Sequence, residues 1–347
     1  MNINREEFLN NLEAVKAGLS PREFIEQSSC FVFADGQVMT FNDEVACRKE
    51  VGLKLSGAVQ AAALLDILGK ITDEELKIRE NEKGELEFAG KRKRFGITKD
   101  AEIFLPIDRV ETPEKWAPLP KEFTEAVGLV QHCVSTDESR FVLTCIHIHP
   151  EYVEACDNLQ IMRVKLPTGV KESILVRGSS LNHIVSLGMD QMAVTKSWVH
   201  FKNQSNLIFS CRLYREDYPD LGAQIKVKGH DITIPKGVKE ASERAAVFAS
   251  NKSGDPLVGV SLTAGQIEIS GEGLSGWYKE RKGVAYEGPP MTFVIAPTLL
   301  MHISEHHNEA RIGDSKLKVN GGHWAYVTVL GKPTETTKEE ETGKDES

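Results

Sequence analysis

The sequence predicts an α+β protein made of three repeats of one plan, each with two helices packed on antiparallel strands. Three observations lead there. Helical and strand-like periodicities alternate in the same order three times along 347 residues. Each stretch is roughly 100–115 residues long, an ordinary domain size. The composition, 40% hydrophobic and 27% charged, can fill several cores. The boundaries fall at residues 1–117, 118–235 and 236–333. Residues 334–347, "TETTKEEETGKDES", form an acidic low-complexity tail that is expected to be disordered.

In the first repeat, "REEFLNNLEAVKAG" places Phe8, Leu12 and Val15 on one helical face. "CFVFADGQVMTF" reads as a hairpin turned at Asp35-Gly36. "AVQAAALLDILGKI" is the second helix, and "ELKIRENEKGELEFAGKRKRFGI" a series of hairpins. The second repeat opens with the helix "LPKEFTEAVGLVQHCVS", with Pro120 near its start. Strand-rich "RFVLTCIHIHPEYVEACDNLQIMRVKLP" follows. "SSLNHIVSLGM" is then a helix capped by Ser179 or Ser180, and "SWVHFKNQSNLIFSCRL" closes the unit. The third repeat opens with "KGVKEASERAAVFASNK" and continues with the hairpin "PLVGVSLTAGQIEISGEG". Its second helix, "APTLLMHISEHHN", has Pro297 in the first turn, and "RIGDSKLKVNGGHWAYVTVL" ends the repeat.

Net charge is −9, concentrated in the first repeat and the tail, while the third repeat is nearly neutral. An acidic total leaves room for nucleic-acid binding when basic groups gather on one surface. No apolar run approaches the ~18 residues that cross a bilayer. The charged amphipathic start does not read as a signal peptide. A cytoplasmic protein with no membrane partner is therefore expected. The six cysteines contain no CxxC pair and are expected to be buried thiols.

Three motifs invite chemistry. His302, Glu305 and His306 form H-x-x-E-H, an arrangement used by one class of zinc peptidases. Such a site needs a further acidic ligand downstream, and before the tail only Glu309 and Asp314 follow. The histidines therefore read as residues of a partly exposed helix face. Cys145, His147 and His149 alternate onto one face of a strand, where a soft metal could sit; no fourth ligand is evident. Lys91, Arg92, Lys93 and Arg94 read either as a charged strand edge or as a phosphate contact. No P-loop, dinucleotide fingerprint, nucleophile elbow or Ser/His/Asp set is present. A binding role without cofactor or metal is favoured over catalysis.

Several stretches, in order, resemble the bacterial DNA sliding clamp, the beta subunit of DNA polymerase III. "ERAAVFASNKSGDPLVGVSL" resembles the family's third-domain opening helix and the following strand. "ACDNLQIMRV" resembles its A-T-D-G-H-R-L-A-V segment, and "CRLYREDYPDL" the segment ending in F-P-D-Y. "WAYVTVL" is similar to the closing A-Y-V-V-M strand, and "RFVLTCIHI" in part to R-Y-Y-L-N-G. The resemblance covers about residues 1–332 and includes the threefold plan.

It implies three clamp-type domains, with helices inside and sheets outside a ring closed by two chains head to tail. Duplex DNA would pass through, touched at phosphates without base readout. Expected DNA-facing residues are Lys16, Arg22, Lys70, Arg140, Lys236, Lys239, Arg244 and Lys252. Two inner helices, "AVQAAALLDILG" and "SLNHIVSLG", lack the basic residues usual in the family. Ring closure would set Val247 and Phe248 of one chain against Phe95 and Ile97 of the next. A pocket for hydrophobic tails of the polymerase and clamp loader would use Leu143, Cys156, Asn158, Leu159, Gln160, Ile161, Pro219, Gln224, Val327 and Val329. Asn158-Leu159-Gln160 stands where the family has Gly-His-Arg, so a different docking motif is expected. That divergence points to a phage or plasmid replication system. Two other readings stay open: a metal-dependent hydrolase on His302, Glu305 and His306, and a clamp-fold protein that binds polymerase or loader tails without forming a ring.

Overall fold

The computed structural model describes residues 1–249, 257–306, 309–313 and 315–332; at 302, 305 and 306 it describes the backbone alone. The chain forms two compact bodies. One is Met1–Asn158 with Arg163–Pro219; the other is Leu159–Met162 with the described residues from Asp220 onward. No described helix is long and apolar enough to cross a membrane.

The first body is organised by a nine-stranded antiparallel sheet. Its order is Ala117–Pro118, Gln191–Val194, Trp198–Lys202, Ile208–Arg212, Val45–Glu50, Gln37–Phe41, Cys30–Ala34, Gly57–Gln60, Lys99–Asp100. The residues read as the first and second repeats share this sheet because Ile208–Arg212 pairs with Val45–Glu50, Phe209 opposite Cys47 and Cys211 opposite Val45. Both faces are covered, which explains the unbroken apolar run "CFVFA". Phe31 and Phe33 face one side. Phe33 lies 6.3 Å from Phe8 of helix α1 (Arg5–Ala14). Cys30 and Val32 face the other side and pack with Phe41, Leu105, Val110 and Trp198. The expected turn holds Asp35 and Gly36 at φ 49° and 78°, the primed geometry that matches strand twist.

Helix α1 starts at Asn4, whose side chain accepts the Glu7 amide at 2.9 Å. Helix α2 (Ala61–Lys70) is shorter than its pattern suggested, because "AVQ" ends the strand Gly57–Gln60. Helix α3 (Phe123–Gln131) buries Phe123, Ala126, Val127 and Val130, one stripe of an amphipathic helix. The next expected helix is two single turns, α4 (Gly178–Leu181) and α5 (Ile184–Leu187), joined by Asn182 and His183. Ser, Asn and His are weak helix formers, and Gly188 at φ 60° ends the run. The cap is also corrected. Arg177 occupies the N-cap without a side-chain bond, and Ser180 is buried inside the turn. A second correction concerns "RFVLTCIHI": Glu138–Thr144 makes 3-10 turns, and the strand begins at Cys145. That strand, Cys145–His149, lies between Ile174–Arg177 and Tyr152–Cys156.

In the second body, Gly276–Gly283, Gln266–Gly273, Val258–Thr263 and Met291–Ile295 form one antiparallel sheet in that order. Trp324–Val329, Lys316–Asn320, Glu309–Gly313 and His230–Thr233 form the other. Helix α6 (Val238–Ala246) buries Val238, Ala241, Ser242 and Ala245, and helix α7 (Pro297–His306) buries Leu300 and Ile303. The small residues of α6 let its backbone touch the sheet. A Cβ at Gly271 would lie 1.9 Å from the Ala245 carbonyl oxygen. Gly271→Ala should therefore force α6 off the sheet and cost about 1–3 kcal/mol, measured as a lowered denaturation midpoint.

All six cysteines are buried and free, as their spacing implied. His200 is buried too, at 1% exposure. Its Nδ1 lies 2.8 Å from Ser210 Oγ and its Nε2 3.0 Å from Thr195 Oγ1, and Thr195 donates to Glu111 Oε2 at 2.6 Å. This chain of groups ties Glu111 to the sheet. Burial pulls the imidazole down from 6.5 to about 4. The neutral form is the one that folds, so its stabilisation is complete above pH 6.5 and is lost as pH falls toward 4. Between pH 7 and pH 5 this costs about 2 kcal/mol. Denaturation midpoints should fall accordingly over that range, and less steeply in His200→Gln.

Candidate nucleic-acid and docking surfaces

Of the expected DNA-facing cations, Lys16, Lys70, Lys236, Lys239 and Arg244 lie on or beside helices, and several already have partners. Lys16 follows α1 and meets Glu13 at 3.2 Å; Lys70 ends α2 and meets Asp66 at 2.6 Å. Arg244 on α6 binds Glu280 at 2.6 Å and Tyr278 Oη at 2.7 Å. Hydrogen bonds from Lys282, Tyr278 and Arg244 hold the Glu280 carboxyl down at about 2. Arg140 donates to the Asn158 side-chain oxygen. Arg22 and Lys236 are exposed, Lys239 is half-buried, and Lys252 lies outside the described residues. Exposed pairs are worth ~0–1 kcal/mol, so a phosphate can displace the carboxylate, yet the pairing lowers the positive potential.

One cation escaped the sequence reasoning. Arg177, at the start of α4, pairs with Glu138 and lies over the Phe141 ring at 5.3 Å. With Lys16, Ser179, His183 and Ser186 it lines a cleft of about 740 Å³ in the first body. Its signal was its place directly before the second helix of a repeat.

The basic run is corrected. Lys91 to Lys93 form a turn, not a strand, and Arg94 opens the strand Arg94–Ile97. Lys93 pairs with Asp73 at 3.1 Å, while Arg94 and Arg79 share Glu87. Those two guanidinium partners hold the buried Glu87 carboxyl below the usual range, the Arg94 bond foremost.

The Cys145, His147, His149 face is occupied by its own neighbours. His147 Nδ1 lies 2.7 Å from Glu154 Oε1, and His149 stacks on Tyr152 at 4.2 Å. Burial pushes the Cys145 thiol up to about 12, away from the thiolate a metal needs. The H-x-x-E-H backbone lies on α7, but the side chains of His302, Glu305 and His306 lie outside the described residues. Among the described residues no group of three or more His, Cys, Asp or Glu is placed to hold a metal ion.

The expected docking residues fall into two sets. In the first body Leu143 and Cys156 are buried, and Asn158 and Pro219 are exposed. In the second, Leu159 is 57% exposed. Its carbonyl accepts the Val329 amide at 2.8 Å, so it lies beside the strand Trp324–Val329. Val327 and Val329 share a face of that strand; Val327 is buried and Val329 exposed. Gln160 and Ile161 are half-buried, Gln160 accepting from Tyr326 Oη at 2.9 Å, and Gln224 is exposed.

The expected oligomer residues lie by two sheet edges. Phe95 and Ile97 are on Arg94–Ile97, the last strand of a four-stranded sheet with Asn2–Asn4, Glu75–Glu80 and Leu86–Ala89. Phe95 is half-buried, stacked on Phe88 at 4.6 Å. Val247 is 73% exposed at the end of α6, whereas Phe248 is half-buried with its ring over Gly276. Leu274 and Trp277, 93% and 68% exposed, were missed by sequence reasoning. They lie at and just after the turn leading into the edge strand Gly276–Gly283. Their signal was the apolar pair inside the glycine-rich turn "GEGLSGW".

Comparison with known proteins gives one consistent likeness. No family model matches the chain. Beta sliding clamps of Rickettsia felis and Rickettsia bellii are 23% and 24% identical over 233 residues, 62% of this chain and 61% of each relative. The chain thus spans less than two thirds of the curated relatives it matches. Among solved structures, a sliding clamp (DNA polymerase III subunit beta) from Bartonella birtlesii bound to griselimycin superposes with a TM-score of 0.85 at 16% identity. The DNA polymerase sliding clamp of Bacillus subtilis gives 0.81 at 18%, and the DNA polymerase III beta chain of Streptococcus pneumoniae 0.83 at 16%. Each match covers 96% of this chain and 99% of the other. The chain has the sliding-clamp fold.

Proposed function

We propose that this protein is a DNA sliding clamp, a non-enzymatic processivity factor working in the cytoplasm. Three modules, 1–117, 118–235 and 236–333, build each chain, and two chains close head to tail around duplex DNA. A polymerase and a clamp loader dock through hydrophobic tails. The observation that supports the reading is the match to clamp structures over 96% of the chain. A ring works by topology, so weak sequence-independent phosphate contacts suffice and permit sliding. DNA contact is assigned to Lys16, Arg22, Lys70, Arg140, Lys236, Lys239, Arg244 and Lys252, with Arg177 added. Docking is assigned to Leu143, Cys156, Asn158 and Pro219 in the first body and to Leu159, Gln160, Ile161, Gln224, Val327 and Val329 in the second.

Ring closure is assigned to the two edges. Among the described residues Arg94–Ile97 and Gly276–Gly283 each end a sheet, and an unpaired edge bearing apolar residues favours pairing with another chain. Phe95 and Ile97 supply one side. Val247, Phe248, Leu274 and Trp277 supply the other. No observation supports the hydrolase reading. The pairing of Lys16, Lys70 and Arg244 with carboxylates favours one runner-up, a clamp-fold monomer that occupies polymerase or loader tails.

Light scattering separates the two: the clamp runs at twice the chain mass, the decoy at once. Val247→Asp, an exposed substitution that spares the core, should convert dimer to monomer; an unchanged mass would remove Val247 from the interface. Wild-type protein placed on a nicked DNA circle should stay bound through gel filtration and fall off once the circle is linearised. Equal retention on both forms would sink the enclosure reading.

A further inference from the structure

Two residues assigned to docking, Cys156 and Pro219, are bridged by one that is not. Tyr218 precedes Pro219 in the chain. Its Oη accepts the Cys156 amide at 2.9 Å and lies 3.4 Å from Cys156 Sγ, to which it donates. The phenol keeps its proton, because burial raises its titration first and the neighbouring Cys156 adds to this. The motif that this segment resembles has Phe in place of Tyr218, and the A-T-D motif has Thr in place of Cys156. The hydroxyl-to-thiol link belongs to this chain.

The ring of Tyr218 is held as firmly as its oxygen. It lies 4.8 Å from the His147 ring at an interplanar angle of 32°. His147 is fixed by Glu154, which is 1% exposed and also accepts from Arg163 Nε at 2.6 Å. A buried carboxylate needs both partners, so neither is free to move away. Arg163 lies over Tyr152 at 4.2 Å, and Tyr152 stacks on His149. This is a rigid platform beside the docking set, and rigidity is what such a surface needs. Side chains fixed before binding lose less entropy on binding, and the gain appears in the dissociation rate.

We propose that Tyr218, clamped between Cys156 and the His147–Glu154–Arg163 platform, is a positioning residue that fixes Pro219 and Cys156 for the docking of a hydrophobic peptide. This rests on the reading that Cys156 and Pro219 belong to a docking surface. The probe is griselimycin, present in two of the similar clamp structures. Dissociation constants and off-rates are measured on full-length protein, with melting recorded for every variant. Tyr218→Phe keeps the ring and removes both hydroxyl bonds. It should weaken binding about three- to tenfold, mostly through a faster off-rate. His147→Gln, off the docking surface, should weaken binding in the wild-type background and add nothing to Tyr218→Phe. A purely structural role would lower the melting temperature of both variants and leave the off-rate unchanged. If the wild type binds, Leu159→Asp abolishes binding, and Tyr218→Phe changes neither constant, the positioning role is wrong. If the wild type does not bind griselimycin, the docking reading falls, and the role of Tyr218 with it. Should Tyr218→Phe fail to fold, His147→Gln carries the test, and an unchanged off-rate there overturns the proposal.

Discussion

The pairing of Ile208–Arg212 with Val45–Glu50 is the constraint on which the first body depends. It joins strands more than 150 residues apart in sequence and leaves neither with an open edge at the join. Phe209, Cys47 and Cys211 are buried along it, and Trp198 packs on Phe41, 6.0 Å away, across the same sheet. Polar groups lock the ends. Arg212 donates to Asp43, Tyr214 Oη donates to Glu44 at 2.6 Å, and Lys49 Nζ donates to Ser205 Oγ at 2.9 Å. Covered on both faces, such a sheet shows an almost continuous apolar sequence instead of a clean alternation.

Exposed apolar side chains remain in several places, Phe24, Phe104 and Val185 among them, and two, Leu274 and Trp277, lie by the start of Gly276–Gly283. Among the described residues, Arg94–Ile97 and Gly276–Gly283 each have one side with no paired strand; half-buried Phe95 and Ile97 lie on the first and exposed Trp277 on the second. Isolated exposed apolar residues need no explanation; an exposed pair such as Leu274 and Trp277 beside an edge strand does. The proposed oligomer rests on those two edges.

Electrostatics follow a different rule here. Four of the cations assigned to DNA, Lys16, Lys70, Arg177 and Arg244, are matched by nearby carboxylates. The proposed ring would need no strongly positive wall, whereas the same pairing favours the monomeric runner-up. The same economy marks the sheet bearing Glu154, where histidine and arginine serve a buried carboxylate and not a metal.

Much of this was legible in the sequence. The Asp35-Gly36 turn, the stripe of α3 and the buried thiols follow from local periodicity and turn chemistry, which need no distant partner. The Glu138–Thr144 turns and the broken α4–α5 helix were not legible, because short apolar runs fit helix and strand alike. The roles of single side chains were hidden for a stronger reason. Whether Phe248 faces solvent or Gly276 and where the Tyr218 hydroxyl points are decided by residues far away in sequence, and whether His147 meets Glu154 by the register of its hairpin. The sequence by itself determined which segments could become helices and strands. Only the tertiary structure decided which edges pair and which charges find partners, since those depend on distances that a linear pattern does not contain.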